Sequence, residues 1–416
     1  MTKRIISELY KGFISDSYPF VIMAQLARQP FSRGEYRDRL HETQRRMEDR
    51  GLNVLLITDP ANIFYLSGYD AYSFYVPQIL LVTPDRDQPV WVGRDQDYTC
   101  ATETTWLDTD NIVVYSDEYV DSEKHPMSFV ADILNNWGRA DTTIGVEMKS
   151  DYFSAHAYHE LSRALPDATF EDTTKFVNFI RMVKSDAEVE CHRQAAKISE
   201  QAMKQGIDTI SAGVSESDAA ATVYEALLEG TDETGGDYPA IVPLMPSGKG
   251  TGSPHLTWTN EKYEEGEPVI LELAGVVNRY HSPLTRTIFL GEPPEQVRTA
   301  SQIIVDGIEA ALDAVEPGVT CEEVEQVWRE RIKGTIVEKE SRIGYSTGIG
   351  YPPSWVEKTA SIRPGDQTEL QPNMVFHMIP GVWFDDYGIE ISESFLVTED
   401  GAEVLADVPR ELIVKN

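Results

Sequence analysis

Glu272 and His255 are the two residues whose settings most invite chemistry. Glu272 lies inside Val-Ile-Leu-Glu-Leu-Ala-Gly over residues 269-275, a run apolar enough to be a buried strand. A carboxylate there is costly unless paired, and burial pushes its pKa upward unless a cation sits beside it. Its chemical uses are nucleophile, general base or counter-ion to a cation. His255 closes the loop 246-255, Pro-Ser-Gly-Lys-Gly-Thr-Gly-Ser-Pro-His, whose glycines let backbone approach a small molecule closely. The Gly-Lys-Ser/Thr order of a phosphate-binding loop is absent. An imidazole with an unperturbed pKa of about 6.5 suits proton transfer at neutral pH, with a structural histidine as the alternative. Tyr345, His377, Glu390, Glu393, Tyr280, Trp258 and Arg286 are the candidate substrate-binding residues; the first four have hydrogen-bonded core as their other reading, Tyr280 and Arg286 orientation of the sheet, and Trp258 is read as an aromatic face.

The elements that must position them divide the chain in two. Helical periodicity over 34-50 (Tyr36, Leu40, Thr43, Met47) ends at Gly51, and the apolar run Val54 to Ile57 follows as a buried strand. Strand-like runs at 79-82, 90-92 and 112-115 alternate with helical segments near 127-137 and 152-164, which predicts an α/β domain over 31-183. Ahead of it, 1-30 reads as an extension in which Met23 is an alternative start. Near Lys184, Ser185 and Glu188 form a capping box opening a long amphipathic helix, and Thr320 and Glu323 form a second. Strand pairs are expected between 268-275 and 278-290, and between 374-383 and 389-397. Helices on an antiparallel sheet make 184-416 an α+β domain.

Composition narrows the function classes. A chain of 416 residues with 41% hydrophobic content and no membrane-length apolar run reads as a soluble globular protein without a signal peptide. Three scattered cysteines suggest a reducing cytoplasm. A formal charge of -33 repels phosphate backbones and excludes nucleic acid as the expected partner. The acidity, with 22 arginines against 14 lysines, suits a salt-rich cytoplasm that screens the self-repulsion.

The stretches 269-275 and 280-287 (Tyr-His-Ser-Pro-Leu-Thr-Arg-Thr), with 344-348 and 374-381, resemble the family of methionine aminopeptidases, prolidases and creatinases. That resemblance implies a pita-bread fold for the carboxy-terminal domain, a creatinase-type amino-terminal domain and a homodimer, with Tyr72 to Tyr75 reaching the partner's pocket. In the family's metal-binding members five positions hold ligands, and here they read Glu272, Pro283, Tyr345, Ile379 and Ser392. A dinuclear site needs several hard oxygen ligands and a histidine, so the resemblance implies the metal-free branch, with no metal and no cofactor.

In that branch the histidine at the position of His255 transfers protons. Two metal ions would repel a substrate that is already cationic, whereas carboxylates attract an amidinium or guanidinium. The run Leu-Thr-Trp-Thr after His255, together with residues 271-275, 280-287 and Gly-Tyr-Pro-Pro at 350-353, is similar to the ectoine hydrolase group of the creatinase branch. The expected substrate is a zwitterionic or cationic small molecule, and the expected reaction opens the cyclic amidine of ectoine to N-acetyl-2,4-diaminobutyrate. Glu272 would be nucleophile or base and His255 proton shuttle. Creatinase, a prolidase-like peptidase and a non-catalytic pita-bread binding protein stay open as alternatives.

Overall fold

The computed structural model describes residues 29-120 and 124-415, so the expected extension with Met23 lies almost wholly outside the described residues. The amino-terminal domain runs α1 (Arg33–Asp49), β1 (Val54–Ile57), α2 (Pro60–Ser67), β2 (Ile79–Val82), β3 (Val90–Arg94), α3 (Tyr98–Thr104), β4 (Ile112–Tyr115), α4 (Pro126–Asn136), β5 (Thr143–Val146), α5 (Ala155–Ala164) and β6 (Thr169–Asp172). Its sheet has the order β4-β3-β2-β1-β5-β6. Period-two alternation splits the central strands between two cores: Leu55, Ile57, Leu80 and Val82 face one cluster, Val54, Leu56, Ile79 and Leu81 the other. The Ser32 hydroxyl accepts the Glu35 N–H to start α1, and Gly51 at φ +67 follows its end.

The carboxy-terminal domain comprises α6 (Asp186–Thr209), α7 (Glu216–Glu229), β7 (Pro268–Val277), β8 (Tyr280–Leu290), α8 (Glu295–Asp313), α9 (Cys321–Ile332), β9 (Gly344–Tyr351), β10 (Ser354–Ile362), β11 (Val375–Met378), β12 (Val382–Trp383), β13 (Gly388–Ile389), β14 (Glu393–Thr398), β15 (Gly401–Val404) and β16 (Ile413–Lys415). Both capping boxes form, at Ser185 and Thr320. β7 pairs antiparallel with β8, and β11 with β14, in one large sheet against which the helices pack. Val269, Leu271 and Leu273 bury one face of β7 in the same apolar cluster as residues of α6 and α7. Each such side chain contributes about 1.5–3 kcal/mol of burial. The other face, with Glu272 and Ala274, lines the concave side of the sheet.

The family's metal-binding members carry a Gly-His-x-x-Gly turn where residues 344-348 stand, and here those residues form the start of β9. Small residues are needed because β9 is wedged between β11 and β10: a Cβ on Gly344 would stand 2.9 Å from the His377 carbonyl oxygen.

Two buried polar clusters join the domains. Glu357 on β10 accepts from Arg181 at 3.0 Å and Lys184 at 2.8 Å, all three fully buried. Glu188 on α6 accepts from the Tyr280 hydroxyl at 2.5 Å and lies 3.6 Å from Arg39 on α1. Among the described residues no helix is long and apolar enough to cross a membrane.

Candidate active site

Alternation along β7 aims the Glu272 side chain into the concave face, while its backbone is held by Leu244, whose N–H and C=O both bond to it at 2.9 Å. Thr285 is its cross-strand partner on β8, so the two side chains share a face, and the Thr285 hydroxyl is buried without a partner. Glu390 follows β13. Its N–H donates to the Thr287 hydroxyl and its carbonyl accepts from it, both at 2.8 Å, which pins it beside β8.

Both carboxylates are buried, and neither accepts a hydrogen bond from any described residue. Burial, with the Glu390 charge added, holds the Glu272 pKa well above the usual carboxylate range. Burial raises Glu390 too, opposed by the Lys339 ammonium. Ionising one of the two carboxylates therefore makes ionising the other harder.

Beside the pair runs a polar chain. The Trp355 indole N–H donates to the Tyr345 hydroxyl at 3.0 Å, that hydroxyl lies 2.9 Å from His377 Nδ1, and His377 Nε2 lies 2.7 Å from the Ser392 hydroxyl. Since indole only donates, every donor is used when the Tyr345 proton points to Nδ1 and Nε2–H points to Ser392. Burial pushes His377 down to about 3, so the ring is neutral, and raises the Tyr345 phenol. Ala240, Ala274 and Trp355, with Ile241, Val356 and Ile379, form the apolar wall.

The structure thus brings Glu272, Tyr345, His377 and Glu390 together and sends the other candidates elsewhere. Arg286 spends all five N–H donors on the carbonyls of Pro409, Thr285, Ser392 and Val408 and on Glu393 at 2.8 Å. Glu393 is also bound by Arg410 at 3.0 Å. These two are a structural staple between β8, β14 and the chain end; Arg286 has no donor left for substrate, while Glu393 Oε2 is buried without a partner. Tyr280 is committed to Glu188 at the domain seam. Trp258 packs edge-to-face on Tyr224 of α7 and against the helix-side cluster, across β7 from Glu272. His255 is exposed and makes no hydrogen bond or ion pair with any described residue, so the expected contact with Glu272 is not formed.

Residues missed in the sequence are Thr285, Lys339 and Arg342. Alternation in Thr-Arg-Thr would have separated Thr285 and Thr287 from Arg286; the two cations lie in an aperiodic connection and left no such signal.

The donor set does not fit the dinuclear metal centre of the family's metal-binding members. Of the five ligand positions only Glu272 offers a carboxylate, and both ring nitrogens of His377 are engaged. Among the described residues, three clustered ligand side chains occur at His156, His159 and Glu160 on α5, and not around Glu272.

Comparison with known proteins agrees with the two-domain fold. Residues 190–399 match the metallopeptidase family M24 and residues 39–183 the creatinase/prolidase N-terminal domain. The chain is 42% identical over 399 residues to the ectoine hydrolase of Halomonas elongata, covering 93% of this chain and 98% of that one. It is 26% identical to the Xaa-Pro dipeptidase of Pyrococcus furiosus, covering 91% of this chain and 100% of the other. A recombinant prolidase from Thermococcus sibiricus superposes with a TM-score of 0.80 at 20% identity, over 91% of this chain and 99% of that one. The chain belongs to the metallopeptidase family M24, with a creatinase/prolidase-type amino-terminal domain ahead of its pita-bread domain.

Proposed function

We propose that this protein is a metal-independent hydrolase that opens the cyclic amidine of ectoine, or hydroxyectoine, to the N-acetyl diamino acid. The observation that carries the reading is the pair of buried carboxylates, Glu272 and Glu390, that accept no hydrogen bond from any described residue. An amidinium entering beside them supplies the missing cation and lowers the cost of ionising Glu272, while Glu390 keeps the proton it will give to the leaving nitrogen. Its central carbon is electrophilic without a Lewis acid. The likeness to the Halomonas elongata enzyme supports the same substrate class.

Glu272 attacks the amidinium carbon, or takes a proton from the water that does. Glu390 is in place to return a proton to the ring nitrogen as its carbon–nitrogen bond breaks, the role expected of His255. Overall, one water is consumed and one C–N bond is cleaved. The neutral Tyr345–His377–Ser392 chain holds the wall of the pocket without adding a charge that would oppose the substrate. The protein works in this reading as a cytoplasmic homodimer, in which Tyr72 and Tyr75, both exposed, would meet the partner subunit.

Proton NMR of the protein in molar salt with excess EDTA, incubated separately with ectoine and with creatine, tests the proposal. Conversion of ectoine to an acetylated diamino acid supports it. Sarcosine and urea from creatine would make it a creatinase. Cleavage of a Xaa-Pro dipeptide only after metal addition would make it a prolidase, and no reaction at all would leave a binding protein.

A further inference from the structure

The carboxylate pair accounts for the cationic end of such a substrate and would repel its carboxylate, so something must receive the other end. Lys339 stands at the edge of the site. It donates to the Gly381 carbonyl at 2.7 Å and the Ser341 hydroxyl at 3.1 Å, which uses two of its three protons, and it lies 5.0 Å from the Trp383 ring centroid. Among the described residues no carboxylate lies within ion-pair distance of it. Arg342 lies over the Tyr345 ring, 4.6 Å from its centroid, and makes no hydrogen bond or ion pair with any described residue.

In a chain with 69 acidic residues against 36 basic ones, neither cation forms a contact ion pair among the described residues; the charge nearest Lys339 is Glu390 of the dyad itself. Gly381 ties them to the carboxylate pair: its carbonyl holds Lys339, while a Cβ on it would stand 2.5 Å from Glu390 Oε1 and 2.9 Å from the Trp383 ring. One bare backbone residue therefore separates the ammonium from the dyad.

We propose that Lys339 and Arg342 form an anion-binding rim that receives the carboxylate of the substrate and fixes which way round the ring enters the site. This rests on the cyclic-amidine reading above. The rim selects zwitterions over simple cations, and it sets orientation because a carboxylate held at Lys339 leaves the amidinium facing Glu272 and Glu390.

Steady-state kinetics on ectoine and on 2-methyl-1,4,5,6-tetrahydropyrimidine, the same ring without its carboxylate, test the rim in wild type, Lys339→Met, Lys339→Arg and Arg342→Gln. The preference of wild type for ectoine should fall by about 10- to 100-fold in Lys339→Met, through KM more than kcat, with partial recovery in Lys339→Arg. Arg342→Gln should move the ratio in the same direction. Equal losses on both rings, or an unchanged ratio, would overturn the rim while leaving the amidine reading intact. A wild type that turns over neither ring would remove that reading and the rim with it.

Discussion

At the scale of single residues, the unusual feature is a pair of carboxylates with no protein donor. Glu272→Gln should abolish turnover while the circular dichroism spectrum stays native; retained activity would sink the assignment. Because His255 is exposed and unbonded, His255→Ala should keep activity within about tenfold, whereas a loss of two to four orders of magnitude would return the proton-transfer role to it. Glu390 adds a stability test. Its pKa is raised from 4.5 to about 7 in the fold, so the folded state holds its proton more tightly than the unfolded chain. The stability this confers is full below the unfolded pKa and lost as pH rises through about 7. Glu390→Gln should therefore be more stable than wild type at pH 8, by about 1–3 kcal/mol in urea unfolding, with the gain shrinking toward pH 5. A variant less stable at pH 8 would mean that the charge is compensated after all. Glu272 was legible because a carboxylate in an apolar strand needs a reason, and Tyr345, His377 and Glu390 because they stand at or beside the ligand positions of the family the sequence resembles. The same criteria picked out Arg286, Glu393 and Tyr280, whose partners are remote in sequence, Pro409, Arg410 and Glu188, and so could not be foreseen.

At the scale of elements, the site depends on a short hairpin. β12 and β13 present Glu390, and they are seated on the glycine-rich turn at 248-252 through the Gly388 N–H, which donates to the Thr251 hydroxyl at 3.0 Å. A Cβ on Gly388 would stand 2.1 Å from the Thr251 carbonyl oxygen, a backbone atom that cannot swing away. Gly388→Ala should cost about 1–3 kcal/mol and lower kcat, because the residue it displaces is two positions from Glu390. Thermal melts and kinetics read both effects, and an unchanged kcat would mean that the hairpin does not set the dyad. The α1 and α6 starts, and the β7–β8 and β11–β14 pairs, were readable because caps and two-residue alternation are local signals. β9 was not. Its glycines suggest a turn, and only the crowding of β11 and β10 on either side makes a strand of small residues the answer.

At the scale of the whole molecule, a net charge of -33 opposes compaction at low ionic strength. The unfolding midpoint should rise steeply between 0.1 M and 2 M potassium chloride; unchanged stability at low salt would count against adaptation to a salt-rich cytoplasm. The seam between the domains bears on how that unfolding proceeds. Arg181 with Glu357, and Arg39 with Glu188, pair across the seam, so parting the domains breaks two buried ion pairs, a penalty of about 3–5 kcal/mol for each. Neither half can melt cheaply ahead of the other. Calorimetry should give a single endotherm whose van't Hoff and calorimetric enthalpies agree, so that a lesion in the amino-terminal sheet, far from Glu272, lowers the melting temperature of the catalytic domain by the same amount as its own.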